Sequence, residues 1–162
     1  MPLNDAIPLA ALDADLVLRL GLAAGLGLLL GLDRELRGAA AGLRTHGLIC
    51  LAASAITVST IALFETMDLP NGDPLRLYEA AAGFIGIIGA GLIVFNKGTV
   101  HNITTAAHLF LTAVIGIACG AAQWPLVAIT APVGLVMLSV LRLVEDKESG
   151  DPKGSADDAA DA

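Results

Sequence analysis

The residues best suited to chemistry crowd into Gly31-Leu32-Asp33-Arg34-Glu35-Leu36-Arg37-Gly38 and Ala41-Gly42-Leu43-Arg44-Thr45-His46-Gly47. Two acids and three arginines so close together form either the water-facing end of an apolar helix or a site. Asp33 and Arg37 stand one helical turn apart and pair if a helix runs through them. Arg34 and Arg44 carry guanidinium forks that suit phosphate or anionic headgroups. Away from this stretch, Arg19 and Glu79 are isolated ionisable residues near the ends of apolar runs, and an unpaired charge there is costly, so the two are expected to pair. A cation path through Glu79 is the sharper alternative. His46, His101 and His108 lack the spacing of ligands on one helical turn, so hydrogen-bonded loop or interface histidines are expected rather than a metal centre. Asn102, Thr104 and Thr105 are suited to capping the helix that follows them. Cys50 and Cys119 fall in apolar runs, with Cys119 placed roughly 22 Å up its helix, too far for a disulfide and with no nearby base to make a nucleophile.

The elements that must hold these residues follow from composition. Of 162 residues, 56% are hydrophobic and only 15% charged, the mean hydropathy is +0.76, and a soluble domain carries about 25% charge. Five apolar runs, residues 16–32, 47–64, 78–95, 104–122 and 124–144, are each long enough to approach the ~30 Å hydrocarbon core at 1.5 Å per helical residue. Backbone amides have no partner in lipid outside helices or closed barrels, so even the Val/Ile/Thr-rich residues 56–61 are expected to be helical. The expected fold is an all-α membrane protein, a compact bundle of five transmembrane helices.

An odd number of spans puts the ends on opposite sides. Arg34, Arg37, Arg44, Lys97, Arg142, Lys147 and Lys153 share one side and Arg76 and Arg19 the other, which favours N-out, C-in. Residues 1–15 then form an extracytoplasmic segment, and their three acids without Lys or Arg argue against a removable signal. Residues 145–162 hold seven acids and two lysines, most of the formal charge of −7, and are expected to be a disordered cytoplasmic tail. The acidic balance disfavours nucleic acid as a partner.

Pro70, Asn71, Gly72, Asp73 and Pro74 mark an exposed outer bend. Pro125 suits a first helical turn after a tight connection, and Pro132 is expected to kink the last span. Gly21/Gly25, Gly27/Gly31, Ala82/Gly86/Ala90 and Gly116/Gly120 offer small-residue seams for close helix packing, one of which can also serve a homo-oligomer. Arg37-Gly38, Leu43 and Thr45 are echoed by Lys97-Gly98, Ile103 and Thr105, a pattern that fits either a duplicated hairpin or chance. The chain carries no phosphate loop, hydrolase elbow, zinc motif or spaced carboxylate pair, and is read as non-enzymatic.

Taken together, Gly31-Leu-Asp33-Arg34-Glu35-x-Arg37-Gly38, Ala41-Gly42-Leu43-Arg44-Thr45-His46, Gly89-Ala90-Gly91, Thr104-Thr105-Ala106-Ala107 and Gly116-x-Ala118-Cys119-Gly120 resemble the MgtC/SapB family of bacterial inner-membrane proteins. The resemblance covers residues 16–144 and does not extend to the soluble C-terminal domain of longer members. Ala40, His108 and Phe110 depart from the residues commoner at their positions. It implies a five-span domain, a role in adaptation to low magnesium and in virulence, and, in some members, restraint of the ATP synthase. Carried over by position, Asp33, Arg34, Glu35, Arg37, Gly42, Arg44 and Thr45 form the inner-loop motif, with Cys119, Lys97, Thr104 and Thr105 as supporting candidates. No cofactor is implied beyond weak magnesium, phosphate or lipid-headgroup binding at the inner loops. Lys97 is expected to approach Asp33 or Glu35 if the two inner loops touch. A regulator acting on a membrane partner is the first reading, and a small oligomeric cation transporter or channel the alternative.

Overall fold

The computed structural model describes residues 14–66, 73, 75–96 and 99–148. Five helices follow one another: α1 Ala14–Leu36, α2 Leu43–Thr66, α3 Arg76–Leu92, α4 Ile103–Gly120 and α5 Trp124–Glu148. A two-stranded antiparallel hairpin, β1 Val94–Asn96 and β2 Thr99–His101, joins α3 to α4. The segments Ala14–Leu36, Leu43–Phe64 and Ile103–Gly120 are long and apolar enough to cross a membrane, and Trp124–Met137 is a shorter apolar stretch.

α4 is the centre of the bundle. Ten of its residues are buried, and all four other helices pack on it. The core joins Ala23 and Leu30 of α1, Cys50 of α2, Ile115, Ala118 and Cys119 of α4, and Val127 and Ala131 of α5. Small residues allow this, because in lipid helix association depends on close van der Waals approach. A methyl placed on Gly27 would lie 2.6 Å from Cys50 Cβ, and one on Gly31 2.6 Å from Leu43 Cα, so α1 and α2 touch backbone to backbone as an antiparallel pair. Gly120 meets the Ser54 carbonyl and Thr57 in the same way, and Gly116 meets Cys50 and Ala53. α4 therefore lies parallel to α2. It runs antiparallel to α1, as the contact of Thr105 with Arg34 at one end and of Gly120 with Arg19 at the other requires.

Two of the four small-residue seams are thus internal and two are not. Among the described residues, a methyl on Gly21, Gly25 or Gly86 would meet nothing within 4 Å, and Ala82, Gly86 and Ala90 are exposed on α3. Both helix ends bordering the first loop differ from the apolar runs. α1 extends past residue 32 to Leu36, and α2 starts at Leu43 rather than 47. The Asp33–Arg37 pair and a carboxylate cap on Leu43 stabilise turns that hydropathy alone does not register.

At the other end of the third run the helix stops short. α3 ends at Leu92, and residues 94–96 are strand instead of the last turn of a span reaching 95. Asn102 takes a left-handed backbone, φ 67°, a conformation that Asn tolerates better than most residues. Its side chain does not cap α4. Nδ2 donates instead to the Leu92 carbonyl at 3.0 Å, closing the base of the hairpin.

α1 and α4 both end in the same pattern of two backbone hydrogen bonds. Ala39 N–H donates to Arg34 O and Gly38 N–H to Glu35 O, while Gln123 N–H donates to Ala118 O and Ala122 N–H to Cys119 O. The left-handed position is Gly38 in one and Ala122, φ 54°, in the other. This is the Schellman arrangement, in which Gly is the favoured residue. α5 continues through Pro132 and on to Glu148, so the first residues of the expected disordered tail are helical, in keeping with the good helix propensity of Glu and Lys. Residues 149–162, residues 1–13 and most of the Pro70–Pro74 bend lie outside the described residues. Of that bend, Asp73 is described, and its carboxylate accepts the N–H of Leu75 at 2.9 Å, leading the chain into α3.

Candidate functional site

The end of the bundle where α1 gives way to α2 collects the charged motif. Asp33, Arg34 and Glu35 stand on the last turn of α1, and Arg44, Thr45 and His46 on the first turn of α2. The motif is thus two helix ends around a short connection rather than a loop. Arg37 donates to Asp33 Oδ1 in an i,i+4 ion pair. Arg34 Nη2 donates to Thr105 Oγ1 at 2.7 Å, and Thr105 is 2% exposed on the first turn of α4. This hydrogen bond joins the two polar connections, the task sequence reading gave to Lys97, which lies outside the described residues. Thr104, the neighbouring candidate, is exposed.

Glu35 has a different task. Its Oε2 accepts the backbone N–H of Leu43 at 3.0 Å, satisfying one of the open amides of α2. The same oxygen occupies the space into which any Gly42 side chain would project. A side chain at position 42 would therefore displace the Glu35 carboxylate from its place on the Leu43 amide. Arg44 is exposed and Thr45 half-buried.

Of the three histidines expected in hydrogen-bonded loop or interface positions, two join this group. His46 is 1% exposed, and its Nδ1 lies 2.9 Å from Gly42 O. A carbonyl can only accept, so Nδ1 carries the proton and Nε2 presents a lone pair in the neutral ring. His108, one turn beyond Thr105, is half-buried and lies in the electrostatic field of Arg34, His46, Asp33 and Arg37. His46 Nε2, His108 Nδ1, Asp33 Oδ2 and Arg37 Nε are all buried without a hydrogen-bond partner among the described residues. Buried polar atoms are normally satisfied, and four such atoms at one end of an apolar bundle mark a polar centre under the α1–α2 connection. The three-residue step from Thr105 to His108 was the signal available in the sequence. Among the described residues no three His, Cys, Asp or Glu side chains converge as a metal-ligand set, and His101 is exposed on β2.

At the opposite end Arg19 and Glu79 do not pair. Arg19 forms an ion pair with Asp15 at 2.6 Å, one turn back on its own helix, and donates to the Gly120 carbonyl at 2.9 Å. Glu79 is exposed on α3. A nearer acid on the same helix, together with the carbonyl at the end of α4, takes the place of Glu79 as the partner of Arg19. Cys50 and Cys119 are free thiols in one core cluster. They are not on the separate levels inferred from counting residues, because Gly116 brings α4 against the backbone of Cys50.

Residues 20–147 match the MgtC family. The chain belongs to that family. It is 33% identical over 132 residues to the putative magnesium transporter YhiD of Escherichia coli K12, covering 80% of this chain and 61% of that protein. It is 34% identical over 116 residues to protein SapB of Bacillus subtilis, covering 68% of this chain and 49% of SapB. Protein MgtC of Brucella abortus is 34% identical over 96 residues, covering 59% of this chain and 38% of that protein. The chain thus spans less than two thirds of the length of these curated relatives. No solved structure matches it.

Proposed function

We propose that this MgtC-family chain is a non-enzymatic, multi-pass protein of the bacterial inner membrane that regulates or scaffolds a membrane partner during adaptation to low magnesium. Its five helices form five spans, N-out and C-in, and the charged end faces the cytoplasm. The observation that carries this reading is the contrast between the two parts of the bundle. Asp33, Arg34, Arg37, Thr105, His46 and His108 gather at one end, while the core beyond them is built mainly of Ala23, Leu30, Cys50, Ile115, Ala118, Cys119, Val127 and Ala131, with the uncharged hydroxyls of Ser54, Thr57 and Thr112 buried beside them. A divalent cation needs several oxygen ligands along its path, and magnesium sheds water reluctantly. A packed core that offers hydroxyls rather than carboxylates suits a protein that presents a surface better than one that conducts. Exposed Arg44 beside the cluster is the side chain to meet phosphate, a lipid headgroup or an acidic partner surface, and restraint of the ATP synthase is one form such an interaction takes.

The alternative, a small oligomeric cation transporter, draws on the name of the Escherichia coli relative and on the open glycines Gly21, Gly25, Gly83 and Gly86, which allow a second copy to approach. The regulator reading is tested in a strain lacking its own family member. Under the regulator reading, Asp33→Asn and Arg44→Ala reach the membrane in parental amounts yet fail to restore growth at low magnesium or to lower ATP-synthase activity in membrane vesicles. Full restoration by both variants contradicts it.

A further inference from the structure

The β1–β2 hairpin has an apolar face that the described residues leave uncovered. Phe95 and Val100 are directly paired across the two strands and therefore project from the same side. They are 73% and 45% exposed. The opposite side carries the pair Val94 and His101. A lone two-stranded hairpin is marginal in water, and this one is closed at its base by the Asn102 to Leu92 hydrogen bond.

Its position in the bundle determines what can cover that face. α3 has 17 residues and α4 has 18, so each is about 26–27 Å long, somewhat less than a ~30 Å hydrocarbon core. The connection between two such helices emerges at the headgroup–acyl boundary, not in bulk water. The strands satisfy each other on one edge only, and their outer edges need polar partners, which the hydrocarbon centre lacks and the boundary supplies. Ile93 and Ile103 at the base of the hairpin are exposed, as are Ile87 and Phe110 further along α3 and α4. Phe95 and Val100 therefore continue the apolar surface of the two helices.

We propose that the Phe95/Val100 face is a membrane-interface anchor, seated in the headgroup–acyl boundary of the leaflet at the charged end, with bilayer lipid as its occupant. The anchor fixes the depth of the α4 N-terminus, and with it the height at which Thr105 meets Arg34. It rests on the reading that α4 crosses the bilayer, and the test separates the two.

The chain has one tryptophan, Trp124, so Trp124→Phe with Phe95→Trp yields a single reporter at an exposed position. In vesicles whose lipids are brominated either near the headgroup or near the acyl-chain end, the reporter is expected to be quenched more strongly by the shallow bromines and to resist aqueous iodide. A second reporter, Phe110→Trp in the same background, reads α4 itself and is expected to be quenched by lipid. Lipid quenching at position 110 with iodide quenching and no bromine effect at position 95 overturns the anchor and leaves the spanning helix standing. Absence of lipid quenching at both positions overturns both.

Discussion

A methyl group on Gly42 would overlap the Glu35 carboxylate that accepts the N–H of Leu43, so the two residues are coupled and the coupling is measurable. Gly42→Ala is expected to destabilise the folded protein by about 0.5–2 kcal/mol, the cost of the helix cap lost when the Glu35 carboxylate is displaced. Glu35→Ala loses a helix cap, about 0.5–2 kcal/mol, and removes the group with which the methyl collides. In the Glu35→Ala background the added cost of Gly42→Ala should fall close to zero, as read by denaturant unfolding in mild detergent. Equal costs in both backgrounds would show that the clasp does not form. Thr105 gives a second test at this scale. Thr105→Val keeps the shape of the side chain but removes the hydroxyl that accepts from Arg34, and a hydrogen bond to a charged group is worth about 1.5–3 kcal/mol. Thr105→Ser, which keeps the acceptor, is expected to cost less than Thr105→Val in the same measurement. The reverse order would assign Thr105 to packing.

Helix ends and helix contacts account for most of what separates the apolar pattern from the observed elements. The five apolar stretches were legible because lipid leaves a chain of this composition few options but helices. The ends were not, since Asp33 to Leu36 and Arg44 to His46 are polar enough to read as loop until the Asp33–Arg37 pair and the Glu35 cap are seen. Val94-Phe95 continued an apolar run, and only the register of β1 on β2 shows that the third helix has already ended. Pairing Arg19 with Glu79 was reasonable by depth, but Asp15, one turn away, was the nearer partner and lay outside the apolar run.

The glycine pattern gave candidate seams without saying which were used. Gly116→Val or Gly120→Val is expected to unfold the bundle or abolish its expression, because each Cβ meets α2 backbone. Gly86→Val is expected to leave the protein folded, although a β-branched residue in place of Gly changes local helix preference. Expression and size-exclusion behaviour in detergent check the contrast, and equal tolerance of all three changes would refute the packing described. Ala122, left-handed at the end of α4, supplies a prediction of the opposite sign. Ala122→Gly should stabilise by about 0.5–1 kcal/mol, since glycine carries no penalty at that backbone angle. Destabilisation would mean that the Schellman turn between α4 and α5 is not as described.

At the scale of the whole molecule, α4 acts as an axis with a polar group at one end and a closed, small-residue core along the rest. The sequence showed the arginines and acids of that group, because they are unusual in so apolar a chain. It placed His46 and His108 at the same end but did not show that they would be buried against that group, since burial depends on how α1, α2 and α4 are set against one another through Gly27, Gly31, Gly116 and Gly120. The central claim is that this arrangement presents a charged inner surface and does not conduct ions. Magnesium flux into proteoliposomes with an imposed membrane potential, with the parent protein, Asp33→Asn and empty vesicles side by side, tests it most directly. The account predicts that folded parent protein gives no more flux than empty vesicles; flux that saturates with magnesium and is lost in Asp33→Asn would contradict it and make transport the main activity.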